Sequence, residues 1–451
     1  MNRATVELPV AQIKTALGKI RCPGSWDDFA AAMAQPWPNV MRHRRGINPA
    51  TLPIPSTAVE WYSLGRRPAE PSTAPSRSMA YACNDFFVQD AGSLLALALA
   101  GAAGEGLHGK TVCDLCAAPG GKASALIEAV ATPEAEQSGF VLANEIIRSR
   151  VGPLQLNLAR TGTDCFAISS LDPDTLADQL PQTFDLLVVD APCSGQAMMS
   201  RGKQNLSALS PHQIQHSASR QRRILSAAVN MVRDGGQLIY STCTFAEAEN
   251  EAQIRWLIEL GIATPLPVDS LQNHETDPAC YRCWPHVHHC AGSFAASLTI
   301  NHSATKKAKK HRRSKQDKTP VRLTDWYDET VTGSRLCTRD HVLLGLSPSA
   351  PPWADQIAIG GPELAHRTGQ TWKPAHAGAL RRIAGLKPAN SIDIDKPTCQ
   401  QFMRGEPIQT TALGWNAVQL QGRPLGWVKA DGTTGKNHLP NVARMSGELS
   451  S

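Results

Sequence analysis

Two short apolar runs each end in a cysteine-bearing turn. Phe184 to Asp190 (FDLLVVD) is followed by Ala-Pro-Cys-Ser-Gly, and Gly236 to Tyr240 (GQLIY) by Ser-Thr-Cys-Thr-Phe. Runs this short and this apolar fit strands of a parallel sheet buried on both faces. The same pattern recurs upstream. Residues 111–117 and 140–145 read as strands, each followed by a helical stretch at 121–130 and 147–159. A strand over 163–169, a long helix over about 211–233 and a helix over 246–260 complete the series. This alternation predicts an α/β fold with a parallel, doubly wound sheet. In such sheets the side chains just past the carboxyl ends of strands line the ligand crevice. Asp190, Cys193 and Cys243 are therefore expected in one pocket. Two thiols and a carboxylate suit thiolate attack on an electron-poor ring, as in a base-modifying enzyme.

At 451 residues the chain exceeds one ordinary domain, and two to four are expected. The stretch 94–103, within a helix read over 90–103, is about half a membrane span and reads as buried helix. The N-terminus shows no hydrophobic secretory core. Twelve scattered cysteines fit a reducing, cytoplasmic setting better than a disulfide framework. The net charge of +6 is concentrated: residues 306–318 hold eight Lys or Arg and one Asp, +7, which leaves about −1 for the rest. That segment reads either as a tether along a phosphate backbone or as a solvated linker. The run Met41 to Arg45 (MRHRR) reads either as a phosphate contact or as a solvated face.

Asp114 to Lys122 (DLCAAPGGK) joins the first strand of the series to its helix. Gly120 and Gly121 allow a tight turn and close backbone approach, and the helix N-terminus offers free amides to a ligand carboxylate. The segment has neither the GxGxxG of dinucleotide sites nor the GK[ST] of phosphate loops. Glu145 stands at the next strand end, where an acidic residue can take ribose hydroxyls.

With these motifs in view, the chain resembles the RNA 5-methylcytosine methyltransferases of the NSUN/RsmB/RsmF family, and most closely the RsmF type. The resemblance is carried by 87–93 (FVQDAGS), 116–122 (CAAPGGK), 184–195 (FDLLVVDAPCSG), 240–251 (YSTCTFAEAENE), 282–288 (RCWPHVH), 424–429 (PLGWVK) and 436–438 (KNH). It implies a Rossmann-like, class I S-adenosylmethionine-dependent methyltransferase with an N-terminal α+β region and a C-terminal β-rich PUA-like module. The implied boundaries are 1–80 for an N-terminal RNA-binding region, 81–302 for the methyltransferase domain, 303–324 for the basic linker and 325–451 for the C-terminal region. S-adenosylmethionine is implied as methyl donor, held by Cys116, Ala117, Ala118, Pro119, Gly120, Gly121 and Lys122, with Glu145 on the ribose, Asp172 beside the adenine and Asp190. Asp174 competes with Asp172 for its place, and an ordinary turn aspartate also accounts for either.

The resemblance further implies Cys243 as the nucleophile on carbon 6 of cytosine. Asp190 would hold the pyrimidine edge, and Cys193 would take the proton from carbon 5. In DNA cytosine methyltransferases the cysteine of the Pro-Cys pair attacks, which here would be Cys193; the second cysteine, Cys243, is the mark of the RNA enzymes. A non-catalytic RNA-binding assembly factor with the same fold is a third reading. The implied partner is RNA, ribosomal first and transfer RNA second, with the protein acting as a monomer and away from membranes.

Cys280, Cys283, His286, His288, His289 and Cys290 resemble a zinc cluster in composition, but no second spaced pair completes a four-ligand site, and no metal is expected. The CxxC of Cys113 and Cys116 flanks the cofactor turn, without context for a redox role. In the C-terminal module Trp427, Lys429, Lys436 and Asn437 are candidate RNA contacts, Trp427 reading equally as core.

Overall fold

The computed structural model describes residues 9–52, 54–70, 73–134, 137–302, 323–328, 334–382 and 387–450. The basic segment 306–318 lies outside the described residues. Helices α1 (Val10–Leu17) and α2 (Trp26–Met33) precede an antiparallel sheet of β1 (Val40–His43), β2 (Ser56–Val59), β3 (Tyr62–Pro68) and β4 (Phe86–Gln89), in the order β2-β3-β1-β4. A short α3 (Met79–Ala82) comes before β4, which lies beyond residue 80 and yet completes this sheet.

Both readings of the Met41–Arg45 run are corrected here. Arg42 is buried in β1, with its guanidinium 2.6 Å from Glu128 and 2.9 Å from Ser124 Oγ. Arg44 donates to the carbonyls of Thr161 and Arg160 at 2.5 and 2.6 Å, and Arg45 to that of Ala102 at 3.2 Å. Glu128, on α5 (Gly121–Val130), is surrounded by protein, and a buried carboxylate is tolerated only when paired. The basic run is consequently an internal clamp between the N-terminal sheet and the next unit.

That unit carries the large sheet. Helix α4 (Leu94–Leu99) is shorter than the helix expected over 90–103, because the chain turns through Gly101 at φ +66°. Strands β5 (Thr111–Asp114), β6 (Phe140–Asn144), β7 (Phe166–Ser169), β8 (Phe184–Asp190) and β9 (Val232–Thr242) are parallel, in the order β9-β8-β5-β6-β7. Their crossovers are α5, α6 (Arg148–Ala159), α7 (Pro173–Gln179) and α8 (Pro211–Met231). α7 has no counterpart in the sequence reading: Asp172 caps it by accepting from the Asp174 amide at 3.0 Å, and Pro173 opens its first turn. Ser210 and Pro211 start α8 in the same way.

After β9, a 3-10 turn at Glu247–Glu249 delays the last helix, so α9 spans Glu251–Glu259 and not 246–260. The sheet then continues antiparallel. β13 (Ser293–Ile300) pairs with β9 on one side and β12 (Cys280–Cys283) on the other, with β11 (Glu275–Asp277) outermost and β10 (Ala263–Pro265) also against β13. The wholly parallel sheet expected from the alternation is thus a mixed one. The segments after α9 return as short hairpins, and these can pair only antiparallel.

Among the described residues the C-terminal region holds two larger sheets and a two-stranded one. β14 (Tyr327–Asp328) pairs with β19 (Lys387–Pro388) beside a sheet of β15 (Arg335–Arg339), β16 (Val342–Leu346), β17 (Glu363–Thr368) and β18 (Thr371–Pro374). The other contains β20 (Ser391–Asp393), β21 (Ile408–Gln409), β22 (Leu413–Leu420), β23 (Arg423–Asp431) and β24 (Thr434–Asn437). The first sheet shares its core with the large one. Cys337, Leu344, Leu346, Ala354 and Ile357 pack with Phe140, Ala167 and Phe184, and Trp353 meets both phenylalanines edge-on at 5.9 and 5.8 Å. Ile168 bridges to Gly360, which covers the exposed edge of β7. Asp164 and Arg381, both fully buried, form an ion pair at 2.9 Å across the same junction.

Candidate active site

The order of strands reverses beside β5, and the crevice at the carboxyl ends of β5 and β8 is where a ligand is expected. Asp114 ends β5 and the chain then turns through Cys116 to Gly120, with a cis Ala118–Pro119 peptide, into α5. Gly120 stands at φ +112°, with Asn157, Leu154 and Leu158 packed where a Cβ would go, so a larger residue is excluded on both counts. A Cβ on Gly121 would lie 3.1 Å from Gln89 Oε1, and both polar atoms of the Gln89 amide are buried without a hydrogen-bond partner. Asp114 Oδ2 is likewise buried and unpartnered. Orphaned donors and acceptors around a glycine turn fit a site built for a polar ligand.

Lys122, in the first turn of α5, reaches across the crevice to Asp190 at 2.8 Å, while Ser241 Oγ donates to the other Asp190 oxygen at 2.8 Å. Burial pulls the Lys122 ammonium down, but the charge and hydrogen bond of Asp190, with Asp114 and Cys243 beyond, hold it above its ordinary value. Asp114 is pushed up to about 7, by burial first and then by the charge of Asp190, with Lys122 opposing. Asp114 was quoted in the turn motif but given no role from sequence; its place as the last residue of a buried strand was the available signal.

The two thiols meet as expected, with Cys193 Sγ 3.3 Å from Cys243 Sγ. Cys193 is raised well above the usual thiol range by its hydrogen bond to Cys243, then by burial and the Cys243 charge.

A buried network sets this distance. Glu249 accepts from the Ser194 amide at 2.9 Å and hydroxyl at 2.6 Å, and from Gln221 of α8 at 3.0 Å. Burial raises the Glu249 pKa against those hydrogen bonds. Asn250 accepts from Thr242 Oγ1 at 2.6 Å and donates to the Thr244 carbonyl at 2.9 Å. The Cys243 carbonyl accepts from the Ala197 amide at 3.0 Å, and the Phe245 amide donates to Gln196 at 2.8 Å. Phe245 packs between Phe29 of α2, edge-on at 4.9 Å, and Trp284, stacked at 5.8 Å, so the N-terminal helices brace the Cys243 loop. Glu249 and Asn250 lie in a quoted motif, but only the tertiary structure gives them work.

Glu145 is buried at the end of β6, accepting from the Ile147 amide at 2.8 Å and pairing with Arg150 at 3.1 Å. Arg150 also donates to the Ala118 carbonyl at 2.6 Å, which ties the ribose candidate to the glycine turn. Asp172 is half-exposed, capping α7 and paired with Arg223 at 3.0 Å. Asp174 is exposed inside α7. Arg201 is held by Asp90 and Asn39, each at 2.8 Å.

The cysteines and histidines of 280–290 do not converge. Cys280 packs in the core on one face of the sheet, Cys283 and Cys290 in the core on the other. His286 bonds the Pro23 carbonyl and His288 accepts from the Trp284 amide. Among the described residues no group of three or more such side chains could hold a metal ion. No described helix is long and apolar enough to cross a membrane.

In the C-terminal sheet Trp427 is core, 1% exposed, and donates to the Ala375 carbonyl at 2.8 Å. Asn437 is likewise structural, donating to the Phe402 and Glu406 carbonyls at 2.8 and 2.9 Å. Lys429 and Lys436 are exposed and directly opposite one another on β23 and β24. Trp415 is paired with Lys429 on β22, and its ring lies 4.4 Å from that of His438. Burial lowers the His438 pKa, and Lys436, Lys373 and Lys429 lower it further. This patch of three lysines with a half-buried tryptophan is partly legible in the sequence: Lys429 and Lys436 are candidates there, Lys373 and Trp415 are not, and Trp427, which reads equally as core, is core.

Residues 105–299 match the model of the 16S rRNA methyltransferase RsmB/F family, and 389–445 that of the methyltransferase RsmF PUA domain. The chain is 27% identical to the ribosomal RNA small subunit methyltransferase F of Klebsiella pneumoniae and 26% to that of Escherichia coli K12, each over 100% of this chain and 99% of the relative. A methyltransferase homologue from Pyrococcus horikoshii has the same fold over 61% of this chain and 90% of its own, with a TM-score of 0.52 at 24% identity. The chain belongs to the RsmB/F family of S-adenosylmethionine-dependent RNA methyltransferases, with the PUA domain of the RsmF type.

Proposed function

We propose that the protein methylates carbon 5 of a cytosine in small-subunit ribosomal RNA, through a covalent bond between Cys243 and the base. The observation that carries this reading is the 3.3 Å contact of Cys193 and Cys243, beside an Asp190 already held by Lys122 and Ser241.

The donor site is the turn Cys116–Lys122 with Asp114, Glu145, Asp172 and the free amide of Gln89, and the bound donor supplies an electrophilic methyl group. Cys243 adds as thiolate to carbon 6, which makes carbon 5 nucleophilic. Asp190 accepts from the exocyclic amine and stabilises the proton that develops at the ring nitrogen. Cys193, 3.3 Å from Cys243, gives up its own thiol proton to solvent, and its thiolate then takes the proton from carbon 5 as Cys243 leaves. In sum carbon 5 exchanges a proton for a methyl group, and one proton reaches solvent. The DNA-enzyme pattern would instead put the attack on Cys193. The raised pKa of the buried Cys193 thiol weighs against that.

The lysine patch around Trp415 supports RNA recruitment by the C-terminal sheet, with phosphates on Lys373, Lys429 and Lys436. A monomer is sufficient for this arrangement, since each proposed role falls on one chain. The test is a pair of variants. Cys243→Ala should lose methyl transfer and keep donor binding. Cys193→Ala should accumulate protein joined covalently to RNA, seen as a slow band on a denaturing gel. Turnover by Cys243→Ala, or no adduct from Cys193→Ala, refutes the assignment.

A further inference from the structure

Helix α8, whose Gln221 holds Glu249 in the turn before α9, encloses with α9 on their outer side a groove of about 500 Å³. None of the proposed chemistry takes place in it, although Arg223 on its wall also pairs with Asp172 at 3.0 Å. Arg222 lies over the ring of Trp256 at 4.9 Å, and Arg223 lines the groove beside it. At the floor Gln253, 1% exposed, donates to the Ala248 and Ala218 carbonyls at 2.7 and 3.3 Å, while its Oε1 is buried with no hydrogen-bond partner. Ser219 adds a hydroxyl to the wall. The 21 residues of α8 contain Arg220, Arg222 and Arg223 and no acidic residue.

A flat guanidinium on an indole, flanked by a second guanidinium, is a platform for an aromatic base bearing an anionic phosphate. An unpaired carbonyl oxygen at the floor suits the amino or imino hydrogens of such a base. A peptide carboxylate would use the arginines but leave both the stack and that acceptor idle. We propose that this groove is a second nucleotide subsite, which takes one unstacked nucleotide of the substrate RNA outside the catalytic pocket. The proposal rests on the RNA substrate argued above and names a further contact for it.

The experiment uses the full chain with a small-subunit ribosomal RNA fragment carrying 5-bromouridine or 5-bromocytidine. Ultraviolet crosslinking followed by peptide mapping should place a bromonucleotide on the peptide that contains Trp256. Arg222→Ala, an exposed substitution, should raise the KM for RNA by about 5- to 100-fold, the range for losing a stacked base. The slope of log affinity against log salt should fall by about 0.7. The turnover number at saturating RNA and the donor affinity should stay unchanged. Trp256→Phe, which keeps a ring, should lie between wild type and Arg222→Ala. No crosslink in residues 248–256 together with an unchanged KM overturns the proposal. So does cytidine or adenosine monophosphate that fills the groove while RNA affinity ignores Arg222→Ala, since the site would then serve a free nucleotide. The crosslink needs no turnover, so it can fail or succeed independently of the methylation chemistry.

Discussion

Asp114 ties donor binding to pH. Its carboxyl is buried at the end of β5, unpartnered at Oδ2, and pushed up to about 7 by burial and the nearby Asp190 charge. S-adenosylmethionine brings a sulfonium and an ammonium, and a carboxylate facing such a ligand serves it best when ionised. With a pKa of about 7, about one tenth of Asp114 is ionised at pH 6 and about nine tenths at pH 8, so donor affinity should fall about tenfold between pH 8 and pH 6. Calorimetry in buffers of different ionisation enthalpy should show proton release on binding, greatest near pH 6 and fading towards pH 8. Asp114→Asn should bind donor more weakly at pH 8 and show no slope.

Stability should move with pH in the same region. The folded pKa lies above the unfolded value of about 3.9, so this contribution is complete below about pH 4 and is lost as pH rises to about 7. A displacement of about 3 in pKa corresponds to about 4 kcal/mol. Asp114→Asn should therefore be more resistant to unfolding than wild type at pH 8, the gap closing near pH 4. Donor affinity equal at pH 6 and pH 8 in the wild type, or a slope that survives in Asp114→Asn, would refute the role given to this carboxyl.

Truncation after residue 302 should yield aggregated protein, because it strips Trp353, Leu344 and Leu346 from Phe140 and Phe184; a soluble, donor-binding fragment would contradict the shared core. Arg381→Ala, which leaves the Asp164 carboxylate buried alone, should cost about 3–5 kcal/mol in denaturant unfolding, whereas surface Arg404→Ala should cost under about 1 kcal/mol. Lys429→Glu with Lys436→Glu should weaken RNA binding and flatten its salt dependence by at least about 1.4 in slope while donor affinity holds; an unchanged slope would remove the patch from the RNA path.

The place of the candidate site was legible in the sequence because it depends on strand ends. An apolar run that stops at Asp190 or Thr242 must place its next residues at the rim of the sheet, and Asp190, Cys193 and Cys243 duly meet. Glu145 followed from the same rule, Gly120 from the tight turn between β5 and α5, and Lys122, in the first turn of that helix, only from the family resemblance. The rest depended on contacts between residues far apart in the chain. A string such as Met41 to Arg45 has the same composition whether it faces water or a buried Glu128, and only the packing of β1 on α5 decides which. Trp427 and Trp415 lie on adjacent strands of one hairpin with like flanks and on the same face, their rings 6.4 Å apart, yet Trp427 is core and Trp415 half-buried, because the segments packed over that face cover only the first. The basic groove of α8 and α9 needs two helices that the sequence separates by a strand and a catalytic loop. Local pattern determined the strands and which residues stand past their ends; burial of charge and the meeting of distant surfaces were decided by the fold, since desolvation and pairing depend on every neighbour at once.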